Sequence, residues 1–501
     1  MAETPSRAVH VSTGIGGLDE ILYGGLPGRR IYIVRGGPGS GKTTLGMQFL
    51  REGVKQGEKA LYVTLLQTRE EVESVVTSHG WSLDGIEVLE LPEDIKDAAT
   101  TEQTIFRTSD VELHEATDAI LEAIDKHQPD RVMLDSIDEL AVLVETSHQL
   151  RRHLVRLKRK LEKVQCTSIF SLGAVGKDVT SLQTIVHGVI NLSVETPPYG
   201  EPRRRLEIGK MRGMTFVGGY HDFRITTGGI VLYPRMEVSH AQPDERLERT
   251  TVPSGNKQLD QLLGGGLVEG SACLITGTSG AGKSTLTSLY AQAAAERGER
   301  SAIFCFDERR ETFLRRSEGL GMNVGRYVDE GLIDLRQYDV GKISPGEFMQ
   351  TVCHAVDVDH AKVVVIDSIT GYINAMPNER ALMLQLHELL TYLGDRGVLT
   401  LLVVSAQGSF GTSQPTVDTS YLADTVIMMR HFEARGKMSR CIAALKKRHG
   451  PHESAIREIQ MGEGGMRIGP PLTQFSGVLT GTPKFEGPRE SLLEHGGEPE
   501  A

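Results

Sequence analysis

The sequence contains the pattern G-x-x-x-x-G-K-[ST] twice, as Gly36-Gly37-Pro38-Gly39-Ser40-Gly41-Lys42-Thr43 and as Gly277-Thr278-Ser279-Gly280-Ala281-Gly282-Lys283-Ser284. A loop of this composition leaves its backbone N–H groups free to hold phosphate oxygens. Its lysine reaches the β- and γ-phosphates, and its last residue offers a hydroxyl to Mg²⁺. Thr44 and Thr285 follow directly and complete the two stretches that we expect to contact nucleotide. The pattern therefore predicts two nucleotide sites, each holding a nucleoside triphosphate with Mg²⁺.

The repeat extends beyond these loops. Lys42 and Lys283 lie 241 positions apart, and the same spacing separates Leu18 from Leu259 in two similar upstream segments, Thr13-Gly14-Ile15-Gly16-Gly17-Leu18-Asp19 and Ser254-Gly255-Asn256-Lys257-Gln258-Leu259-Asp260. In each half an apolar strand precedes the loop and a helical stretch follows it, which is the context that a P-loop requires. A match of this length indicates an internal duplication.

Each half also contains an apolar run that ends in an acid, at Asp135 and at Asp367. An aspartate at the carboxyl end of a buried parallel strand is where such folds bind Mg²⁺ through its water shell. Strands that alternate with helices predict an α/β fold, with two tandem domains that each have a mostly parallel sheet flanked by helices. We place domain 1 at 13–240 and domain 2 at 241–470, joined within 234–253, with an N-terminal tail at 1–12 and a flexible tail at 471–501.

Composition limits the classes of function. The chain has 501 residues, a net charge of −11, 39% hydrophobic residues and 5% aromatic residues. The acidic balance makes a nucleic-acid partner unlikely on composition alone. The five cysteines form no C-x-x-C pair, and no apolar run approaches the roughly 18 residues of a membrane span. We therefore expect a soluble cytoplasmic protein without a membrane segment.

The two halves differ at the position where catalysis requires a proton acceptor. Asp307 and Glu308 follow the second strand of domain 2, whereas Leu66 and Gln67 occupy the equivalent place in domain 1. A carboxylate here can accept a proton from the attacking hydroxyl. Domain 1 has two glutamates nearby, but Thr68-Arg69-Glu70-Glu71 fits a helix capping box. We therefore predict that domain 1 binds nucleotide and hydrolyses it slowly.

A second matched element is an extended segment that ends in Lys-x-Arg, as Lys210 and Arg212 in domain 1 and as Lys446 and Arg448 in domain 2. The period of two along a strand places both cations of a pair on one face. Such a pair, supplied by a neighbouring subunit, can neutralise a γ-phosphate as an arginine finger does. That arrangement requires a ring of subunits.

With these motifs the sequence resembles the KaiC family of double-domain RecA-like ATPases, over Thr13 to Met461. The resemblance is strongest in Asp424-Thr425-Val426-Ile427, Arg435-Gly436-Lys437-Met438-Ser439-Arg440 and Ala455-Ile456-Arg457-Glu458. It implies a homo-hexamer of double-ring shape with ATP at the subunit interfaces. It also implies ATP hydrolysis in the first ring and autophosphorylation in the second ring, on an adjacent Ser-Thr pair.

The resemblance assigns roles to individual positions. It places the metal-side residues at Thr43, Asp135, Ser284 and Asp367, the catalytic carboxylates at Asp307 and Glu308, and the trans-acting cations at Lys210, Arg212, Lys446 and Arg448. The phosphorylated pair falls on Ser420-Tyr421, so the serine is retained and the threonine is replaced. Leu66 and Gln67 depart from the carboxylate pair of the first domain.

The leading hypothesis is a KaiC-like ATPase that works mainly in domain 2, with possible autophosphorylation of Ser420 in a signalling or clock-like role. One alternative is a DNA-dependent RecA-like ATPase or recombinase, which the acidic charge and the scarcity of aromatic residues disfavour. The other is a non-catalytic assembly controlled by nucleotide. Neither a protein partner nor a biological output can be predicted from the residues.

Overall fold

The structure is a computed structural model that describes residues 9–91, 109–142, 146–174, 183–197, 200–236, 250–339, 341–374, 379–405, 420–434, 436–463, 465–479 and 483–486. The chain divides into two compact units, residues 1–237 and 238–501. They correspond to the two halves of the duplication, and we call them domain 1 and domain 2.

The described residues of domain 1 form a nine-stranded sheet. Its strands lie in the spatial order Gly229–Tyr233, Tyr220–Thr226, Arg203–Met211, Gly188–Glu195, Ile31–Gly36, Thr167–Leu172, Arg131–Asp135, Ala60–Thr64 and Ile86–Glu90. The last six of these are parallel to one another, and the first three continue the sheet in antiparallel pairing. The strand before the P-loop therefore lies inside the parallel part, with neighbours on both sides.

Domain 2 repeats this order among its described residues. Its strands are Ile333–Gln337, Arg300–Cys305, Ala361–Asp367, Leu399–Ser405, Ala272–Gly277, Thr425–Ala434, Lys437–Lys447, Arg457–Gly462 and Gly465–Pro471. The first six are parallel and the last three antiparallel. The predicted α/β fold with two mostly parallel sheets is confirmed.

Helices flank both sheets. In domain 1 they are Gly16–Ile21, Lys42–Lys55, Arg69–Ser78, Ser109–His127, Ile137–Val142 and Ser147–Lys163. In domain 2 they are Lys257–Leu262, Lys283–Glu296, Arg310–Gly319, Val324–Asp329, Pro345–Asp357, Ile369–Asn374 and Glu379–Asp395, with a short 3₁₀ turn at Ser420–Leu422. Within the described ranges, none of the helices combines the length and the apolar character that a membrane crossing needs.

Alternation along the central strand of domain 1 shows how the core forms on both faces of the sheet. Ile31 and Ile33 pack in one apolar cluster with helices 109–127 and 147–163, whereas Tyr32 and Val34 pack in another with helix 42–55. Successive side chains of a strand point to opposite faces, so a strand covered by helices on both sides is apolar at every position. This burial keeps the end of the strand, where the P-loop begins, in a fixed place.

Each P-loop helix begins at the lysine, at Lys42 and at Lys283, two residues earlier than the sequence indicated. The preceding glycines, Gly41 and Gly282, have φ values of 98° and 105°. An added Cβ at Gly282 would lie 1.9 Å from Cε of Met461. Glycine is therefore required here both by the left-handed backbone and by the close neighbour.

The described part of domain 2 continues past residue 471, where the sequence predicted a flexible tail. The strands Phe475–Ser476 and Lys484–Phe485 pair, Val478 is 1% exposed, and the ring of Phe475 contacts the ring of Phe432 at 5.8 Å between centroids. The Gly, Pro and Glu content of this segment obscured its apolar anchors. In domain 1, likewise, His10–Val11 pairs with Leu26–Pro27 inside the predicted N-terminal tail.

Domain 1 has a buried cation that domain 2 lacks. The side chain of Arg131 is fully buried, pairs with Glu58, and donates hydrogen bonds from Nη1 to the carbonyls of Ser12 at 2.7 Å and Phe49 at 2.8 Å. In domain 2 the strand residue that matches it is Val363, which is buried among apolar side chains.

We predict that Glu58→Gln destabilises domain 1, because it leaves the buried Arg131 without a counter-charge. The free energy of unfolding should fall by about 2–4 kcal/mol, which urea denaturation can measure. The matched control is Glu299→Gln in domain 2, which removes an ion pair with the half-exposed Arg297. Its cost should stay below about 1 kcal/mol. Equal effects of the two changes would contradict a special role for the buried pair.

Candidate nucleotide sites

Both P-loop lysines fold back over their own loop in the same way. Nζ of Lys42 donates to the carbonyls of Gly36 at 2.8 Å and Gly37 at 3.1 Å. Nζ of Lys283 donates to those of Gly277 and Thr278, both at 2.9 Å. Burial lowers the pKa of Lys283, and the charges of Asp367 and Asp307 oppose that shift. Each ammonium thus lies at the mouth of its loop, where a β- or γ-phosphate could replace the carbonyl oxygens.

The strand-end acid of domain 1 is held by three hydroxyl groups. Oδ2 of Asp135 accepts from Oγ1 of Thr43 at 2.6 Å and from the hydroxyl of Tyr62 at 2.9 Å, and Ser171 donates to Oδ1. Burial, with the charge of Asp135, raises the pKa of Tyr62 far above its ordinary value, so this hydroxyl stays protonated and donates. Asp135 is therefore oriented from three sides.

The equivalent acid of domain 2 is in a less polar place. Asp367 accepts a hydrogen bond from Ser284, but the strand residues that match Tyr62 and Ser171 are Ile303 and Val403. Burial raises the pKa of Asp367, and the Ser284 hydroxyl and the charge of Arg316 oppose the rise. This acid depends on Ser284 and on nearby cations where Asp135 has three hydroxyls.

In each domain the hydroxyl and the acid make up a pair suited to Mg²⁺, which prefers oxygen ligands and keeps several of its waters. No group of three or more His, Cys, Asp or Glu in the described part of the chain is arranged to hold a metal ion. A divalent cation at Thr43 and Asp135, or at Ser284 and Asp367, would therefore need phosphate oxygens and water to complete its coordination. The donor set fits magnesium that arrives with a nucleotide.

Asp307 is tied to the end of the strand that carries Asp367. Ser368, directly after that acid, donates to Oδ2 of Asp307, and the N–H of Gly371 donates to Oγ of Ser368 at 3.1 Å. Asp307 is exposed and close enough to Lys283 to affect its pKa. Its carboxylate thus lies beside the P-loop lysine.

Glu308 is held by an arginine of the next helix. Nε and Nη2 of Arg316 donate to its two carboxylate oxygens at 3.2 and 3.0 Å, and Nη1 lies 3.3 Å from Oγ1 of Thr285. A two-pronged pair of this kind fixes the direction of the carboxylate as well as its charge. Arg316 therefore connects Glu308 to the P-loop helix.

Domain 1 lacks this arrangement. Leu66 is 42% exposed, and no carboxylate is present at 66 or 67. The predicted capping box is confirmed, since Oγ1 of Thr68 accepts from the N–H of Glu71 at 3.3 Å and Oε2 of Glu71 accepts from the N–H of Thr68 at 2.9 Å. The position of Arg316 is taken by Val75. Thr44, which matches Thr285, lies 3.4 Å from Nε2 of His79 instead.

The Lys-x-Arg pairs lie at the ends of strands 203–211 and 437–447, with each arginine one residue beyond. A β-bulge precedes each lysine, at Gly209 and at Leu445, and bulges re-aim the side chains that follow them. Nζ of Lys210 donates to the carbonyl of Val186 at 3.1 Å, and Nη2 of Arg212 to that of Thr184 at 3.0 Å. Both cations of domain 1 thus contact one segment.

Domain 2 shows the same relation. Nζ of Lys446 donates to the carbonyl of Ala423 at 2.8 Å, and Arg448 lies 3.4 Å from that of Tyr421 and 3.5 Å from Oδ1 of Asp424. This segment begins at Ser420, whose backbone starts the 3₁₀ turn. The side chain of Ser420 lies outside the described residues.

Several residues at these sites were not found by sequence reasoning. Arg316, Ser368, Tyr62 and Ser171 all hold a candidate carboxylate, yet each comes from a different strand or helix than the group it contacts. The only sequence signal was a difference between the halves, since each is replaced in the other half or faces a replaced partner. A residue-by-residue comparison of the halves could have found them.

One surface bears on the predicted absence of a nucleic-acid partner. A groove of about 730 Å³ in domain 1 is lined by His114, His148, Arg151, Arg152, His153, Val155, Arg156 and Arg159. It is basic, but its lining contains no Phe, Tyr or Trp, whereas single-strand binding combines cations with stacking rings. Asp118 also pairs with Arg156 at 2.8 Å.

Comparison with known proteins agrees with this architecture. The family model for KaiC-type ATPases matches residues 11–237 and 252–473, one match for each sheet. The circadian clock oscillator protein KaiC of a Picosynechococcus species is 28% identical over 488 residues, covering 94% of this chain and 92% of that protein. The protein of that name from Synechococcus elongatus is 28% identical over 478 residues, with 94% and 91% covered. KaiC 1 of a Synechocystis species is 26% identical over 493 residues, with 96% and 93% covered.

We predict that Arg316→Gln lowers ATP turnover by about tenfold or more while the affinity for ATP changes little, because Glu308 loses its orientation but Lys283 and Ser284 remain. Steady-state phosphate release and equilibrium nucleotide binding measure the two quantities. Arg315→Gln is the control, since this neighbouring arginine is exposed on the same helix. A fall in affinity as large as the fall in turnover would show that Arg316 supports the P-loop rather than Glu308.

Proposed function

The chain belongs to the KaiC family of ATPases, and on that premise we propose that it hydrolyses ATP mainly in domain 2. The observation that carries the proposal is the position of Asp307 and Glu308. Each is held by a neighbouring side chain at the mouth of the second P-loop, whereas domain 1 has Leu66 and Gln67 at these positions.

In this proposal the residues of domain 2 have distinct tasks. The backbone N–H groups of loop 277–284 hold the phosphates, and Lys283 moves from its loop carbonyls to the γ-phosphate. Ser284 and Asp367 would hold Mg²⁺, which supplies positive charge to the phosphate oxygens as the bond to the leaving group weakens. Asp307 and Glu308 orient the attacking water, and one of them accepts its proton.

The proposal extends to a ring of identical subunits, with a hexamer as the expected size. Lys446 and Arg448 project from a strand end and contact segment 420–424 of their own chain. If a neighbour's ATP approaches this edge, the two cations and Ser420 would meet the same γ-phosphate. Charge compensation by Lys446 and Arg448 and phosphoryl transfer to Ser420 would then take place at one interface.

The proposal places this activity in the cytoplasm. All five cysteines are free thiols, and four of them are buried. This state is typical of proteins kept in a reducing compartment. A signalling or clock-like role in that compartment follows from the relatives' names rather than from any residue of this chain.

We predict that Glu308→Gln reduces phosphate release by about a hundredfold, the usual effect of removing a catalytic proton acceptor. Lys42→Ala, which disables the first P-loop, should leave most of the turnover in place. If Glu308→Gln has no effect and Lys42→Ala abolishes turnover, the active half has been misassigned. Ring size measured with and without ATP shows whether either change acts through assembly.

For Ser420 the expected result is a single phosphorylated peptide after incubation with ATP and Mg²⁺. Mass analysis of the peptide that contains residues 420–424 detects it, and Ser420→Ala is the control. The signal should vanish in Glu308→Gln if phosphoryl transfer uses the domain 2 site. An unmodified peptide under conditions of full ATP turnover would leave water as the acceptor and refute the kinase part of the proposal.

A further inference from the structure

The helix that follows the strand-end acid differs between the domains at one position. It spans Ile137–Val142 in domain 1 and Ile369–Asn374 in domain 2, each beginning two residues after the acid. The second helix residue makes the same contact in both, since the N–H of Gly173 donates to Oδ2 of Asp138 at 2.6 Å and the N–H of Ser405 to Oγ1 of Thr370 at 3.1 Å. The two helices are therefore in register, and the third residue of one, Glu139, matches the third of the other, Gly371.

In domain 2 the third position cannot carry a side chain. A Cβ built on Gly371 would lie 2.3 Å from Oδ1 of Asp307 and 3.2 Å from its Cγ. The carboxylate of Asp307 therefore fills the space that a side chain at 371 would occupy, and glycine is what allows it to lie there.

In domain 1 the two positions are exchanged. Leu66, the counterpart of Asp307, has no carboxylate, and Glu139 begins where the carboxylate of Asp307 ends in domain 2. Glu139 is half-buried, and among the described residues its carboxylate makes no hydrogen bond or ion pair. Burial and the charges of Asp138 and Asp135 raise its pKa, which places it near the strand-end acid and makes it a stronger base.

The other acids near this site are less suitable. Glu71 is used in the capping box, and Glu70 is exposed on the first turn of helix 69–78. Asp138 accepts the backbone N–H of Gly173. Glu139 is thus the acid of domain 1 that is close to Asp135 and has no structural contact of its own.

We propose that domain 1 is a second ATP-hydrolysing site, in which Glu139 is a catalytic residue that replaces the missing carboxylate at position 66. Glu139 accepts a proton from a water molecule whose oxygen forms a bond to the γ-phosphorus. The bond between that phosphorus and the β–γ bridging oxygen breaks, ADP leaves, and the proton passes to the released phosphate or to solvent. The inference rests on nucleotide binding by the first P-loop and is independent of turnover in domain 2.

The test uses the full chain with the second P-loop disabled by Lys283→Ala, so that phosphate release reports domain 1. We expect slow but measurable release above that of the Lys42→Ala/Lys283→Ala double variant. Adding Glu139→Gln to Lys283→Ala should lower this release at least about tenfold, since a general base contributes at least that much. ATP binding by domain 1 should stay within about threefold, because Lys42, Thr43 and Asp135 are unchanged.

Two further variants separate chemistry from folding. Glu70→Gln in the Lys283→Ala background should leave release unchanged and controls for loss of a nearby charge. Leu66→Asp combined with Glu139→Gly transplants the arrangement of domain 2 and should restore release relative to Glu139→Gln.

Release equal to that of the double variant, with ATP bound to domain 1, would overturn the inference, and so would Glu139→Gln that releases phosphate as fast as its parent. Either result leaves the proposal for domain 2 intact, because that proposal is judged by turnover of Lys42→Ala.

Discussion

In each domain a hydroxyl at the start of the P-loop helix binds the acid at the end of a neighbouring strand. In domain 1 the distance between Oγ1 of Thr43 and Oδ2 of Asp135 is 2.6 Å, and these residues are 92 positions apart in the chain. The contact joins the loop that would hold the phosphates to the strand that would hold the metal. Packing of both sheet faces by helices keeps that strand end in place. The other candidate groups are arranged around this contact, and their distances to a phosphate follow from it.

The domains keep this contact and differ in what surrounds it. Domain 1 supports its acid with Tyr62 and Ser171, whereas domain 2 has Ile303 and Val403 in the corresponding strands. Domain 2 instead places two carboxylates nearby and holds them with Ser368 and Arg316. Hydroxyl donors stabilise a carboxylate without adding charge, while a second acid and an arginine add charges of both signs. The first arrangement suits binding, and the second suits proton transfer.

A carboxylate and a glycine exchange positions between the halves. Asp307 is accommodated because residue 371 has no side chain, and Glu139 extends from the matching position of domain 1, where residue 66 is leucine. Duplicated domains can thus keep an acid near the phosphate site while taking it from a different element. A comparison limited to the end of the second strand records a loss where the structure shows an exchange.

The sequence by itself determined the two P-loops, the strand-end acids, the α/β fold of each half and the capping box at Thr68 to Glu71. These features depend on residues close together in the chain, so their local pattern is sufficient to predict them. Only the tertiary structure decided that Arg316 holds Glu308, that Tyr62 and Ser171 support Asp135, and that Glu139 matches the place filled by Asp307. The same holds for the packed segment around Val478, whose anchors are spaced among Gly, Pro and Glu. In these cases the partners come from separate strands and helices, and it is sheet order and helix register that bring them together.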